Sequence, residues 1–530
     1  MGSYLNPSSE SFQNSLRSEI YVDKSLLIAQ VNRRIRTEQR FICVSRPRRF
    51  GKSMAAEMLS AYYDCGEDTS VLFDNLKIAT ADSYIAHRNQ YDVIKVNVQS
   101  FFRRKLTVTE NINRLERYIS TELRKKYKDV SYLDEGDFIQ VMMDVYEATK
   151  RPFVILIDEW DCLFRIYAHD TESQKIYLDF LRAWMKDQNY IALAYMTGIL
   201  PIKKYGEHSA LNMFSEYSMT DPADLTEFFG FTADEVKVLC EKYGMDYEEA
   251  CAWYDGYDLV THNQDEADIH HSMFNPKSVV ESLLRHKFGT YWNRTETYDA
   301  LKVYIQMNMD GLKDAVVKML AGEAVEINTE TFQNDMTTFS SKDDVLTLLV
   351  HLGYLTYDSE TCTVSIPNKE VAQEYITAIR TMSWGEVMRS VEASRKLLQS
   401  MWDMDADAVA AGIDRAHDDI SILQYNDENS LSCTINLAFY FAKEYYNIIR
   451  ELPTGKGFAD IVLIPRPMHM DKPAAVIELK KDKDAEGAIA QIKQKNYVKA
   501  LEDYKGNLLL VDINYDKDKN HTCVIEKMVL

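Results

Sequence analysis

The stretch FICVSRPRRFGKS, Phe41–Ser53, decides how the rest of the chain is read. Phe41 to Ser45 are apolar or small and predict a buried strand. A polar loop with three arginines follows, and Gly51-Lys52-Ser53 then opens a helical run, MAAEMLSAYY. Strand, loop, Gly-Lys-Ser and helix is the order in which a phosphate-binding loop is built. Glycine lets the backbone approach phosphates, and a helix N-terminus offers free N–H groups at the positive end of its dipole. Lys52 would reach the β- and γ-phosphates, and the Ser53 hydroxyl would ligate Mg²⁺. One position departs from the usual pattern: glycine is expected five residues before Gly51, where the chain has Arg46, followed by Pro47.

The second decisive stretch is FVILIDEWD, Phe153–Asp161. Its apolar run predicts a buried parallel strand with acids only at its end. Asp158 at the carboxyl edge would hold Mg²⁺ through water, and Glu159 would polarise the attacking water. A further strand, Ile191–Met196, ends in Thr197-Gly198, where Thr197 could sense the γ-phosphate. Tyr91–Val98 reads as another core strand. The segments 108–128 and 137–149 have helical spacing and alternate with the strands, as a doubly wound α/β sheet requires.

The chain has 530 residues, enough for two to four domains. Hydrophobic content of 46% and charged content of 27% suit a soluble globular protein. The eight cysteines are scattered singly, without finger spacing. No signal pattern or membrane-length apolar run is visible, so the expected location is the cytoplasm. A net charge of −21 argues against nonspecific coating of nucleic acid, yet leaves room for a local basic groove.

After residue 220 the pattern changes. Thr232 and Glu235 form a capping box ahead of an amphipathic helix, and WYDGY at Trp253–Tyr257 and NPKSVVESLL follow. This segment reads as a helical lid over the nucleotide, with Trp253, Tyr254 and Tyr257 as packing residues. Within 301–385, VLTLLVHLGYLTYDSETCTVSIPNKEVAQEYI predicts helix, hairpin and helix, a winged-helix-like unit without a basic recognition helix. The expected organisation is a P-loop domain over 1–220, a lid over 221–300, the winged-helix-like region over 301–385, a helical linker over 386–425 and a C-terminal α/β domain over 426–530.

That last domain carries a second constellation. A strand is expected to begin at Asp460, in GKGFADIVLIP, and AAVIELKKD forms another. Alternation puts Glu478 and Lys480 on one face while Ile477 and Leu479 enter the core. Asp460 and Glu478 on neighbouring strands could hold Mg²⁺ with the Leu479 carbonyl, and Lys480 would orient water or stabilise the pentavalent phosphorus. The following helix, EGAIAQIKQKNYVKAL, brings Gln491 and Lys493.

Taken in order, SRPRRFGKS, VILIDEWD, MTGI, GFT, WYDGY and NP, with the terminal ADIVLIP, VIELK and AQIKQKNY, resemble bacterial AAA-ATPase-like proteins that carry a C-terminal PD-(D/E)XK nuclease domain. The resemblance covers nearly the whole chain. It implies a nucleotide-binding loop of Arg46, Pro47, Arg48, Arg49, Phe50, Gly51, Lys52 and Ser53, since arginines replace the usual glycine in that family's loop. It also implies ATP and Mg²⁺ as cofactors, and Asp460, Glu478 and Lys480 as the nuclease motif. Glu428 on the preceding helix and Gln491 on the following one would join them. Ala459 stands where the motif has proline. The implied function is an ATPase module that gates a Mg²⁺-dependent nuclease acting on DNA in preference to RNA, with homo-oligomerisation allowed. The rival reading is a signalling or scaffold NTPase whose nuclease-like domain only binds a partner. The intact acid–acid–lysine set favours the nuclease.

Overall fold

The computed structural model describes residues 2–202, 211–261, 268–292, 298–307, 309–334, 336–380, 385–419, 435, 438–454, 457–466, 469–481, 507–515 and 521–528. The chain groups into two compact units, one of residues 1–301 with 326–373 and the other of 302–325 with 374–530.

The first unit is built on five strands: β1 (Phe41–Ser45), β2 (Asp92–Asn97), β3 (Phe153–Asp158), β4 (Ile191–Gly198) and β5 (Ser215–Tyr217). They lie in the order β2-β3-β4-β1-β5, and every registered pair is parallel. Strands β1, β3 and β4 are buried at every residue, so their sequences run apolar without alternating. Three-residue β5 was not foreseen; it is a short edge strand, with exposed Glu216 in it, and too brief to show a period. Helix α1 (Lys52–Tyr63) follows β1 directly. The four-residue α2 (Val98–Phe101) follows β2, and α3 (Val108–Lys126) begins at a Thr107–Glu110 capping box. Leu59, Tyr62, Tyr63, Val93, Leu156 and Tyr195 belong to the core on which these layers pack.

The expected Thr232–Glu235 capping box is present ahead of the helix Ala233–Tyr243. The region expected to be a helical lid also contains a three-stranded antiparallel sheet, Phe231–Thr232, Ile269–Phe274 and Tyr257–Thr261. In YDLVT the burial partly alternates, a strand signal that the aromatic WYDGY run obscured. Tyr254 and Tyr257 are core residues, as read from the sequence. The helix Lys342–Leu352, the hairpin Thr356–Asp358 with Thr363–Ser365, and the helix Lys369–Arg380 follow in the expected succession.

The second unit contains a mixed sheet of β6 (Tyr446–Thr454), β7 (Gly457–Pro465), β8 (Ala474–Lys481), β9 (Leu508–Tyr515) and β10 (His521–Met528), in that order. Only β8 and β9 pair in parallel. β7 opens at Gly457, three residues before the predicted start at Asp460, because Gly457 to Ala459 already pair with β6. Odd-numbered Ile461, Ile477 and Val511 pack into one core, and even-numbered Val462, Val476 and Leu510 into another on the opposite face. Among the described residues no helix is long and apolar enough to cross a membrane.

Candidate nucleotide and metal sites

The phosphate loop is held in a shape that few side chains tolerate. Gly51 has φ 90°, and no atom lies within 4 Å of where its Cβ would stand, so backbone conformation and not space selects glycine. Arg49 also has a positive φ of 73°. Two residues brace the loop. Phe50 is buried edge-on against Tyr257 with ring centroids 5.3 Å apart, and Pro47 packs so closely on Gly353 that a Cβ there would lie 2.7 Å from it.

Lys52, at the start of α1, is buried and its ammonium donates to the carbonyls of Arg46 at 2.9 Å and Pro47 at 2.8 Å. Burial pulls its pKa below the ordinary lysine range, against the opposing pull of Glu159, Asp158 and Asp161. The end of β3 presents Asp158, buried, as the hub of the site. It accepts hydrogen bonds from Ser53 Oγ at 2.7 Å, Asn97 Nδ2 at 3.0 Å, Thr197 Oγ1, and the Glu159 N–H at 3.1 Å. Glu159 has φ 56°, lines the cavity, and is ion-paired with Arg165 of α4 (Cys162–Ile166). Arg165 also approaches Asp161 at 3.6 Å. Fully buried Asp161 accepts the Ile199 and Leu200 N–H groups, both at 3.0 Å, tying the end of β3 to the end of β4.

Of these groups Lys52, Ser53 and Glu159 line a cavity of about 780 Å³, with Asp158 bonded to Ser53 behind them. Arg48, Arg49, Gly51, Lys52, Ser53 and Glu159 are among its lining residues, and so are the apolar side chains of Phe12, Val22, Phe228, Phe231 and Val280. A cavity of this size that offers both cationic and apolar side chains suits a nucleoside triphosphate in size and chemistry. Hard oxygen donors at Ser53 and Asp158 suit Mg²⁺.

The structure gives two predicted contacts a different task. Arg46 is fully buried, donates to the carbonyls of Ser45 at 2.9 Å and Tyr217 at 2.8 Å, and lies over the Phe229 ring. Burial brings its pKa down to about 10. It therefore ties β5 to the loop; neither Arg46 nor Pro47 lines the cavity. Thr197 is likewise buried and positions Asp158 in place of meeting the cavity. Asn97, Asp161 and Arg165 were missed. The signal for Arg165 was its i,i+4 spacing from Asp161 in DEWDCLFRI.

In the second unit, β7 and β8 pair with Ile461 opposite Ile477. Asp460 and Glu478 are each one step beyond that pair, so the antiparallel register brings their positions to one level. Glu478 is buried, and on its other side β9 aligns Asp512 with Glu478 and Asn514 with Lys480. Asp512 and Asn514 are also buried. Alternation assigns positions 460, 478, 480, 512 and 514 to the face of Val462, Val476 and Leu510. Asp512 was missed, although an acid inside LLLVDIN interrupts an otherwise apolar strand. Carboxylate oxygens at these positions fit a hard cation such as Mg²⁺. Among the described residues no group of three or more His, Cys, Asp or Glu side chains is arranged to hold a metal. Glu428, Gln491 and Lys493 lie outside the described residues.

Residues 10–206 match the family model of a predicted AAA-ATPase, and residues 427–525 match that of the PD-(D/E)XK nuclease superfamily. No curated protein matches the chain. Two solved structures from Aeropyrum pernix show a low-scoring likeness. The ORC1 protein in complex with DNA is 10% identical, with a TM-score of 0.27, over 72% of this chain and 98% of its own. The ORC2 protein in its ADPNP-ADP complexes is 8% identical, with a TM-score of 0.26, over 69% of this chain and 97% of its own.

Proposed function

We propose that this chain, which joins a predicted AAA-ATPase region to a PD-(D/E)XK nuclease-superfamily domain, binds and hydrolyses ATP and uses its nucleotide state to regulate Mg²⁺-dependent cleavage of DNA. The observation that carries the ATPase half is the Lys52–Ser53–Asp158–Glu159 arrangement, of which Lys52, Ser53 and Glu159 line the cavity.

When bound, Mg²⁺ would neutralise charge on the phosphates and on the reacting phosphodiester. Lys52 would turn its ammonium from the Arg46 and Pro47 carbonyls to the β- and γ-phosphates, and Ser53 with Asp158 would hold the cation. Glu159, once released from Arg165, would accept a hydrogen bond from the attacking water and orient it. Arg48 and Arg49 would face the phosphates from the cavity wall. In the C-terminal domain Asp460 and Glu478 would hold Mg²⁺ with Asp512 beside them, and Lys480 would orient water.

The test is cleavage of plasmid and single-stranded DNA, with and without ATP and Mg²⁺. Lys52→Ala should lose tight ATP binding, and Glu159→Gln should bind ATP without turning it over. Glu478→Ala should lose cleavage while keeping ATP turnover. Metal-dependent cleavage by Glu478→Ala at the parent rate would refute the nuclease site.

A further inference from the structure

The segment from Asn97 to Lys128 runs against the charge of the whole protein. It holds nine basic and three acidic residues in a chain of net charge −21. Two of those acids are engaged locally. Glu110 closes the capping box of α3, and Glu122 accepts the N–H groups of Ser3, Tyr4 and Leu5 at 2.8–3.0 Å. On the basic side, Lys126 pairs with Asp92 and Arg124 with Glu135. Arg103, Arg104, Lys105, Arg117 and Lys125 are exposed and have no ion-pair partner among the described residues.

This charge sits on a built support. Fully buried Asn111 accepts the Arg103 N–H at 3.0 Å and donates to the carbonyls of Arg103, Leu106 and Thr107 at 3.2, 3.4 and 3.0 Å. Arg114 donates to the Phe101 carbonyl and stacks over the Phe101 ring at 4.3 Å, fastening α2 to α3. One turn further, Arg117 lies beside partly exposed Tyr118, with its guanidinium 5.6 Å from the ring centroid. A loop tied through its backbone to buried Asn111, yet whose cations have no ion-pair partner among the described residues, is a display surface. Folding alone gives no reason to hold like charges together at Arg103, Arg104 and Lys105.

We propose that Arg103, Arg104, Lys105 and Arg117 form a docking surface for the phosphate backbone of nucleic acid, and that Asn97 links its occupancy to the nucleotide site. Guanidinium forks match phosphate oxygens, and Tyr118 adds a face on which a base can stack. The surface offers no apolar stripe of the kind that enters a lipid interface. The link is a single side chain. Asn97 Oδ1 accepts the Ser100 N–H at 2.9 Å inside α2, while Nδ2 donates to Asp158 at 3.0 Å. A shift of the segment after α2 is therefore felt at the residue that would hold Mg²⁺. This inference rests on the reading that the protein acts on nucleic acid, and it names where the ATPase region would meet it.

The test uses the full chain and fluorescein-labelled 30-nucleotide DNA, single-stranded and duplex, titrated at several salt concentrations. The variant Arg103→Gln/Arg104→Gln/Lys105→Gln should bind at least tenfold more weakly. Its slope of log affinity against log salt should fall by about 2–3, the value for three lost phosphate contacts. DNA should alter the ATP turnover of the parent and leave that of the variant unchanged. An unaltered ATP-induced thermal shift in the variant checks that the nucleotide site is still folded, and Arg103→Lys/Arg104→Lys should restore most of the salt slope. Equal DNA affinity and slope in parent and variant, with DNA still cleaved, would overturn the surface while sparing the nuclease. A parent that neither binds nor cleaves DNA would sink both readings. Binding of an acidic peptide in place of DNA would overturn the assigned occupant. DNA binding lost with the patch, but without effect on parental ATP turnover, would overturn the link through Asn97.

Discussion

Lys52→Met keeps most of the aliphatic stem of the loop lysine and removes its ammonium. In the structure that ammonium donates to two neutral carbonyls, at 2.9 and 2.8 Å. ATP binding therefore exchanges acceptors and does not create hydrogen bonds from nothing. The bonds from the ammonium to neutral carbonyls are already charge-assisted, at about 1.5–3 kcal/mol each, and exchanging both for ionised phosphate oxygens adds roughly 1–3 kcal/mol in all. The variant should accordingly bind ATP about 5–150-fold more weakly. At an ATP concentration near 100 times the parental Kd, ligand stabilisation is about 2.7 kcal/mol for the parent. A fifty-fold loss of affinity lowers that to about 0.7 kcal/mol by the same relation. At roughly 2 °C per kcal/mol for a large domain, the ATP-induced rise in Tm should drop from about 5 °C to about 1 °C. Differential scanning fluorimetry with and without ATP and Mg²⁺ reads this directly. An equal rise in both proteins would show that Lys52 does not meet the phosphates.

Three further outcomes follow from named contacts. Arg165→Ala leaves Glu159 and buried Asp161 without their cation, and should destabilise the first unit by about 3 kcal/mol in urea titrations, whereas Arg165→Lys should recover much of it; an unchanged midpoint in Arg165→Ala would refute the pairing. Burial raises the Asp64 carboxyl from 3.8 to about 6, so the folded state holds that proton more tightly than the unfolded chain does. Ionisation then works against folding: the handicap is absent below pH 3.8, complete above about 6, and amounts to about 3 kcal/mol. Asp64→Asn should gain stability over the parent progressively across that window, and a gain that does not change with pH would refute it. Glu478→Gln and Asp512→Asn should each weaken Mn²⁺ binding measured by calorimetry, and parental affinity in both would remove β8 and β9 from any metal site.

Much of the first site was legible because its chemistry is local in sequence. Gly51-Lys52-Ser53 and Asp158-Glu159 each sit where a fully apolar strand stops, and a fully buried strand has to be apolar along its length. The contacts of Asn97, Thr197 and Arg46 were not legible for one reason: they depend on strand order. Only when β3 lies between β2 and β4 do Asn97 and Thr197 converge on Asp158. Only when β5 borders β1 does Arg46 find the Tyr217 carbonyl. The second site shows the same divide. Alternation in VIELK put Glu478 and Lys480 on one face, but Asp512 lies more than thirty residues further on and joins them only through the parallel pairing of β8 with β9.

The candidate nucleotide site meets its charges with groups of the protein itself, and this shapes how it would work. Lys52 is held by loop carbonyls, Ser53 by Asp158, Asp158 by four donors, and Glu159 by Arg165. Each of these partnerships must loosen for the residue to act on a phosphate, a cation or a water. An apolar cavity with unpaired charges would instead carry a desolvation penalty of several kcal/mol per ion. Internal pairing avoids that penalty and would make nucleotide binding a set of exchanges. Small differences in partner strength can then set which state prevails. The exchange at Asp158 passes through Asn97, whose other end holds α2, and the exchange at Glu159 passes through Arg165 on α4. Two short helices thus move with, or resist, the filling of the site. A triphosphate-filled and an empty protein should differ most at residues 98–107 and 159–166, and hydrogen exchange should show protection changing there before it changes in β1 or β3.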